Sequence, residues 1–171
     1  MHVEIRDATA GDTSAVADLF YNTVLNVNVG DYSVAQVEAW AGPAPFPEMW
    51  DRRITESTRR MFVATTEDRV VGFAELEGDG HLDTLYVHHE YQGCGIASAL
   101  LDRIEAEACR LGLHRLYTEA SITAEPFFRS RGFSVVRSQV VEVRGHTFRN
   151  FAMEKVDLGT VPCPDLPQTA L

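Results

Sequence analysis

Residues 81 to 111 read HLDTLYVHHEYQGCGIASALLDRIEAEACRL: a strand-like run, a polar break, then a helical stripe. Ile96, Leu100, Leu101, Ile104, Ala108 and Leu111 recur at the spacing of one helix face, and Gly112 is placed to stop the helix. A strand passing straight into an amphipathic helix requires a layered fold, because the apolar face must lie on a sheet. Between the two elements stand Gly93 and Gly95, so the connection carries unusually bare backbone.

The rest of the chain supplies the other layer elements. Val3–Ala8 alternates as a short strand. Asp12 or Thr13 can cap a helix whose stripe is Val16, Leu19, Phe20, Thr23, Val24 and Val27. YSVAQVEAWA reads as a second helix capped by Ser33, GPAPFP as a break, and EMWDRRITEST as a third helix. The period then changes. RMFVATTEDRVVGFAELEG predicts two strands with a turn at Glu67–Asp68, and HLDTLYV a third. HRLYTEA is a further strand, AEPFFRSRG a short helix closed by Gly132, and the run from Phe133 to Val156 two long strands turning at Arg144–Gly145–His146. Residues 1–156 are expected to form one domain. The proline-bearing tail, 157–171, reads as a loose extension, with an arm swapped within a homodimer as the alternative.

Charge bounds the partners. With 15 basic against 25 acidic residues the chain is acidic, which disfavours nucleic acid and anionic membrane surfaces. No apolar run reaches the ~20 residues needed to span a bilayer, and the charged N-terminus lacks a signal core. A cytoplasmic protein is expected. Cys94, Cys109 and Cys163 are odd in number and widely spaced, which fits reduced thiols.

The first-turn N–H groups of a helix, with its positive dipole end, make an anion site. Glycine lets the preceding loop turn tightly and lets phosphate oxygens approach the backbone. Glycines alone fit a plain turn equally well. No third glycine completes a dinucleotide fingerprint, and no Gly-Lys-Ser/Thr completes a Walker loop.

Gln92-x-x-Gly95-x-Ala97, directly after a strand ending LYV, resembles the acyl-CoA signature of the GNAT N-acetyltransferases. Ala124-x-x-Phe127-Phe128-x-x-x-Gly132-Phe133 resembles that family's second motif, and IRDATAGDTSAVADLF its first strand and helix. YSVAQVEAWA, ASITAEPFF and RGHTFRNFAM are similar to a YafP-like branch. The resemblance covers roughly Val3 to Val156. It implies an α/β GNAT fold: a mixed, mostly antiparallel central sheet of about six or seven strands, helices on both faces, and a V-shaped splay between the fourth and fifth strands. It implies acetyl-CoA as acyl donor, no metal, and direct attack by the amine of a small-molecule or peptide acceptor. By matching position, the amides of Gly93, Cys94, Gly95, Ile96, Ala97 and Ser98 would hold the pyrophosphate, with Gln92 opening the loop. The backbone of Leu85, Tyr86 and Val87 would bond the pantetheine, and the Val87 amide would polarise the thioester. Ser121 would reach the pantetheine, and Ala124, Phe127 and Phe128 would line the thiol end. The rival reading is a non-catalytic acyl-CoA-binding or partner-docking module.

The reaction needs a group to take the amine's proton. His81, Asp83, Leu85 and Val87 are expected to share one face of their strand, which places Asp83 roughly 13 Å from Val87, in the acceptor pocket. An acid inside an apolar strand needs a reason. Glu75 on the preceding strand and Glu119 on the fifth are the other carboxylates in reach. His81 has the alternative of a solvated turn. His88–His89 reads as a solvated turn and Cys94 as a tolerated small residue. Phe128 stands where many family members have a tyrosine that protonates the thiolate. Ser121, Tyr86 or water would then serve, or no acid is needed. Tyr32, Trp40 and Trp50, with Phe46 and Met49, lie where the family builds its acceptor pocket, and their rings suit a cation or the packing of helices.

Overall fold

The computed structural model describes residues 2–56 and 58–158. Most of the expected tail, with Cys163, lies outside the described residues. Strand β1 (Glu4–Asp7) leads into helix α1 (Thr13–Asn26), then α2 (Val34–Ala41) and α3 (Pro47–Thr55). Strands β2 (Arg59–Thr66), β3 (Arg69–Glu77) and β4 (Leu82–Val87) follow, then α4 (Ile96–Arg110), β5 (Arg115–Ser121), α5 (Glu125–Ser130), β6 (Ser134–Val143) and β7 (His146–Val156). Among the described residues no helix is long and apolar enough to cross a membrane.

Local chemistry explains the element ends. Ser33 caps α2 by accepting from Gln36 N–H at 3.2 Å, while Gln36 Oε1 accepts from Ser33 N–H at 2.8 Å. Pro47 opens α3, where its missing N–H costs nothing. Asp12 does not cap α1 with its side chain: the carboxylate is taken by Arg6 at 2.7 Å and 2.8 Å, which pulls its pKa down to about 2.

The strands form two sheets, β1-β2-β3-β4 and β5-β7-β6, each antiparallel throughout. One face of the first sheet carries α4, whose Leu100, Leu101 and Ile104 are fully buried; side chains of this kind contribute about 1.5–3 kcal/mol each. The other face carries α1 and α3, with Trp50 of α3 packed on Val63 and Phe73. β5 meets β4 only at its start, where Tyr117 N–H donates to Gly80 O at 3.1 Å and His81 and Tyr117 form a single parallel bridge. Beyond that bridge no ladder joins β4 to β5, and the two sheets open as a wedge.

β4 is not a regular strand. Glu75 pairs with Thr84 but Leu76 pairs with Leu82, so Asp83 is an extra, bulged residue. The bulge breaks the alternation expected from sequence. Leu82, Leu85 and Val87 pack with the α4 side, whereas Asp83 turns to the α3 side and pairs with Arg53. Asp83 therefore does not share a face with Leu85 and Val87.

Candidate active site

Backbone polarity makes the wedge a binding surface. His88 N–H donates to Val71 O at 2.9 Å, and antiparallel alternation then commits Tyr86 and Thr84 to β3 as well. The polar groups of Leu85 and Val87 are left facing the wedge. Val87 O accepts from Gln92 Nε2 at 2.6 Å and Thr23 Oγ1 at 3.2 Å, which ties the glycine loop and α1 to the strand end.

At the mouth, Gly93 and Gly95 have φ of +72° and +80°, and a Cβ on either would meet nothing within 4 Å. The first bond of α4 runs from Ala99 N–H to Gly95 O, and Gly95 gives no side-chain cap. The N–H groups of Ile96, Ala97 and Ser98 thus precede the helical ladder and face an open cradle. That donor set, with no Cβ in the way, fits a pyrophosphate. Cys94 is exposed and its thiol turns back to Gln92 O, away from the cavity.

Within the wedge lies a cavity of about 470 Å³, walled by Leu85–Val87, Thr118–Ser121, Ala124, Phe127 and Phe128. Ser121 Oγ accepts from Ala124 N–H at 3.1 Å, which starts the turn into α5. The Phe128 ring is 3% exposed and packs edge-on against Phe127 and Phe133. A second chamber of about 990 Å³ adjoins it, walled by Phe20, Phe46, Met49, Trp50 and the 41–45 loop, with Arg53, Glu142 and Arg144 among its polar groups. Trp40, Asp83, Thr84, Tyr86 and Glu119 line both cavities. Burial pushes the Tyr86 phenol pKa up, so it stays a neutral donor at this junction.

The expected site residues divide at this point. Asp83 and Glu119 reach the junction, but Asp83 is bound to Arg53 and lies 3.4 Å from Arg59. Glu75 is fully buried, held by Arg53 at 2.5 Å and Arg59 at 2.6 Å, and lines neither cavity. His81 also lines neither; it sits between Glu77 and Glu119. Trp40 and Trp50 wall the chamber. Tyr32 does not: it packs on Trp40 and Phe148, and its hydroxyl donates to Arg149 O at 2.7 Å. The His88–His89 turn is not solvated as expected. His88 is 8% exposed, its Nε2 is 3.0 Å from an Arg69 nitrogen, and burial with the neighbouring His89 and Arg69 lowers its pKa. His88, His89 and Glu90 bring three donor atoms within 4.8 Å of one another. Arg53, Thr84 and Arg144 escaped the sequence reading. Arg53 had a signal, standing three residues after Trp50 on one helix face.

Two parallel strands thus diverge, with a glycine turn and a bare helix N-terminus at their mouth and a second, aromatic chamber beside them. The chain belongs to the GNAT acetyltransferases: residues 28–155 match the Acetyltransferase (GNAT) domain. It is 35% identical over 153 residues to the uncharacterized N-acetyltransferase YafP of Escherichia coli K12, covering 89% of this chain and 95% of that one. A GCN5-related N-acetyltransferase from Rhodopseudomonas palustris superposes with a TM-score of 0.85 at 31% identity, covering 91% and 96% of the two chains. The PaiA N-acetyltransferase of Thermoplasma acidophilum, solved with coenzyme A, shares the fold with a TM-score of 0.76 at 22% identity, covering 91% and 99%.

Proposed function

We propose that the protein moves an acetyl group from acetyl-CoA to a primary amine with an apolar body, by direct attack in a ternary complex. The observation that carries this is the junction: one short wall, including Glu119 and Asp83, faces both the wedge and an aromatic chamber. The amides of Gly93 to Ser98 hold the pyrophosphate, and the backbone polar groups of Leu85 bond the pantetheine arm. The Val87 amide takes the developing negative charge on the thioester oxygen; loss of one such donor elsewhere costs roughly 10²–10³ in rate.

A lysine-like amine, with a pKa of about 10.4, arrives protonated at neutral pH. Asp83 is held by the permanently charged Arg53, with Arg59 3.4 Å away, whereas Glu119 is paired through one oxygen to His81 and keeps 44% of its side chain exposed, so Glu119 is the junction carboxylate with an accessible oxygen to take a proton. The N–H bond breaks, an O–H bond forms on Glu119, and the freed lone pair attacks the carbonyl carbon. The second N–H proton balances the departing thiolate, reaching it through water or the Tyr86 hydroxyl, since Phe128 has none to give. Asp83, with Thr84, shapes the floor of the chamber. Free Cys94 and Cys109 accord with a cytoplasmic setting.

The test is acceptor-dependent thiol release from acetyl-CoA over a panel of primary amines: alkyl and aralkyl amines, polyamines, amino acids and short peptides. Apolar-bodied primary amines should give the highest kcat/KM and tertiary analogues none. Coenzyme A binding without thiol release for any amine would overturn the reading in favour of a binding module.

A further inference from the structure

His81 closes the narrow end of the wedge, just behind Glu119. Its Nδ1 lies 2.9 Å from Glu77 Oε2 and its Nε2 lies 2.6 Å from Glu119 Oε2. The ring stacks on Tyr117 with centroids 4.8 Å apart and planes 16° apart. The backbone N–H of His81 donates to Asp79 Oδ1 at 3.1 Å, and the Tyr117 hydroxyl donates to the other Asp79 oxygen at 2.5 Å. The ring is thus held at both nitrogens and on one face. We propose that His81 is a positioning residue: clamped by Glu77, it holds one oxygen of Glu119 so that the other is presented to the acceptor amine as the base of the transfer. This rests on the acetyl-transfer reading.

A nitrogen facing a carboxylate must donate, so a ring with a carboxylate on each side carries both protons. Burial alone would lower the His81 pKa; Glu77 and Glu119 outweigh it and raise it above the ordinary value. The surrounding charges fit that state. Glu77 from β3, Asp79 from the turn and Glu119 from β5 are acidic. Arg59 from β2 takes the second oxygen of Glu77 at 2.6 Å, and Arg115 lies over the far side of the Tyr117 pair, 4.7 Å from that ring. Glu119 is the wet member, with 44% of its side chain exposed, against 17% for His81. The order is thus a sealed imidazole behind an accessible carboxylate. The proton leaves the ammonium for the Glu119 oxygen that His81 does not bond, and the nitrogen lone pair forms the new C–N bond.

A mere staple at the wedge's closed end would change stability and leave the pH profile in place. The experiment compares wild type with His81→Phe, which keeps the stack on Tyr117 and removes both hydrogen bonds. The expected result is unchanged acetyl-CoA affinity, kcat at neutral pH lower by about tenfold or more, and an acid limb moved to higher pH, where the free amine needs less help. A kcat lowered equally at every pH, or not at all, overturns the proposal. Should His81→Phe fail to fold, Glu77→Gln carries the same profile test, because it keeps the imidazole and removes the charge that holds it doubly protonated. A second measurement needs no turnover: the NMR titration of the His81 ring. Its midpoint should lie above the ordinary ~6.5 and fall in Glu77→Gln. A midpoint at or below ordinary overturns the clamp on its own, while failure of the acetyl-transfer reading shows separately, as absent thiol release by the wild type.

Discussion

At Gly95 two demands meet in one residue. Its φ of +80° lies in the left-handed region, and its amide stands at the open end of α4. A side chain there has room, since a Cβ would meet nothing within 4 Å. The cost of alanine is therefore backbone strain, of about 1–2 kcal/mol. Aspartate tolerates that conformation better than most residues but puts a negative charge where phosphates need bare amides. Gly95→Asp should fold and weaken coenzyme A binding by at least about 100-fold, the equivalent of about 2.7 kcal/mol, whereas Gly95→Ala should lose less than about tenfold. Calorimetry decides it: equal losses in the two variants would mean that strain, not charge, governs the loop. The glycines and their neighbours were legible in the sequence because their requirement is local. The face of Asp83 was not, because a bulge is fixed by pairing with β3. The arginine that captures Asp83 comes from α3, 30 positions away in sequence.

Elements with local punctuation were readable in the same way. Glu67–Asp68 and Arg144–Gly145 both have positive φ at two successive residues, the turn that suits a two-residue hairpin. What the sequence withheld was how the elements seat against each other, and β3 shows why. Gly72 sits beneath α4, where a Cβ would lie 2.9 Å from Ile96 Cγ2, 3.0 Å from Leu100 Cδ1 and 3.2 Å from Tyr86 O. The last contact is backbone of β4 and cannot swing aside, and the first two are α4 side chains already closer than a Cβ allows, so a larger side chain is wedged between β4 and α4 and presses on the helix. Because the N-terminus of α4 is also the proposed phosphate cradle, Gly72→Val should both destabilise, by about 1–3 kcal/mol, and weaken acetyl-CoA binding. Urea midpoints and calorimetry together test the coupling. Lost stability with unchanged affinity would show that the cradle is positioned by the loop alone.

At the scale of the whole molecule, the protein is two sheets held at an angle, and the cavity of about 470 Å³ lies in the angle. The formal charge of −10 favours the approach of cations to the molecule as a whole. The narrow end is joined by backbone at Tyr117 and Gly80. Near the wide end side chains make the link: Gln36 donates to Thr147 O at 2.7 Å, Asn28 to Thr123 at 3.3 Å, and Tyr32 makes two bonds at once. Tyr32, 6% exposed, donates to Arg149 O of β7 at 2.7 Å and accepts from Ile122 N–H, just past β5, at 2.9 Å. It thus fixes the second sheet against the helices that rest on the first. Tyr32→Phe keeps the ring packing but strands a part-buried N–H and C=O, which should cost about 1–3 kcal/mol. A ligand lying along both sheets stabilises the assembled form by about 2.7 kcal/mol at 100 times its Kd. Coenzyme A should therefore restore most of the loss in urea unfolding. The amine's KM should rise more than that of acetyl-CoA, since Tyr32 packs on Trp40 of the chamber wall. If Tyr32→Phe unfolds at the wild-type midpoint, the shared core and the other links set the angle between the sheets, and the hydroxyl only fills space.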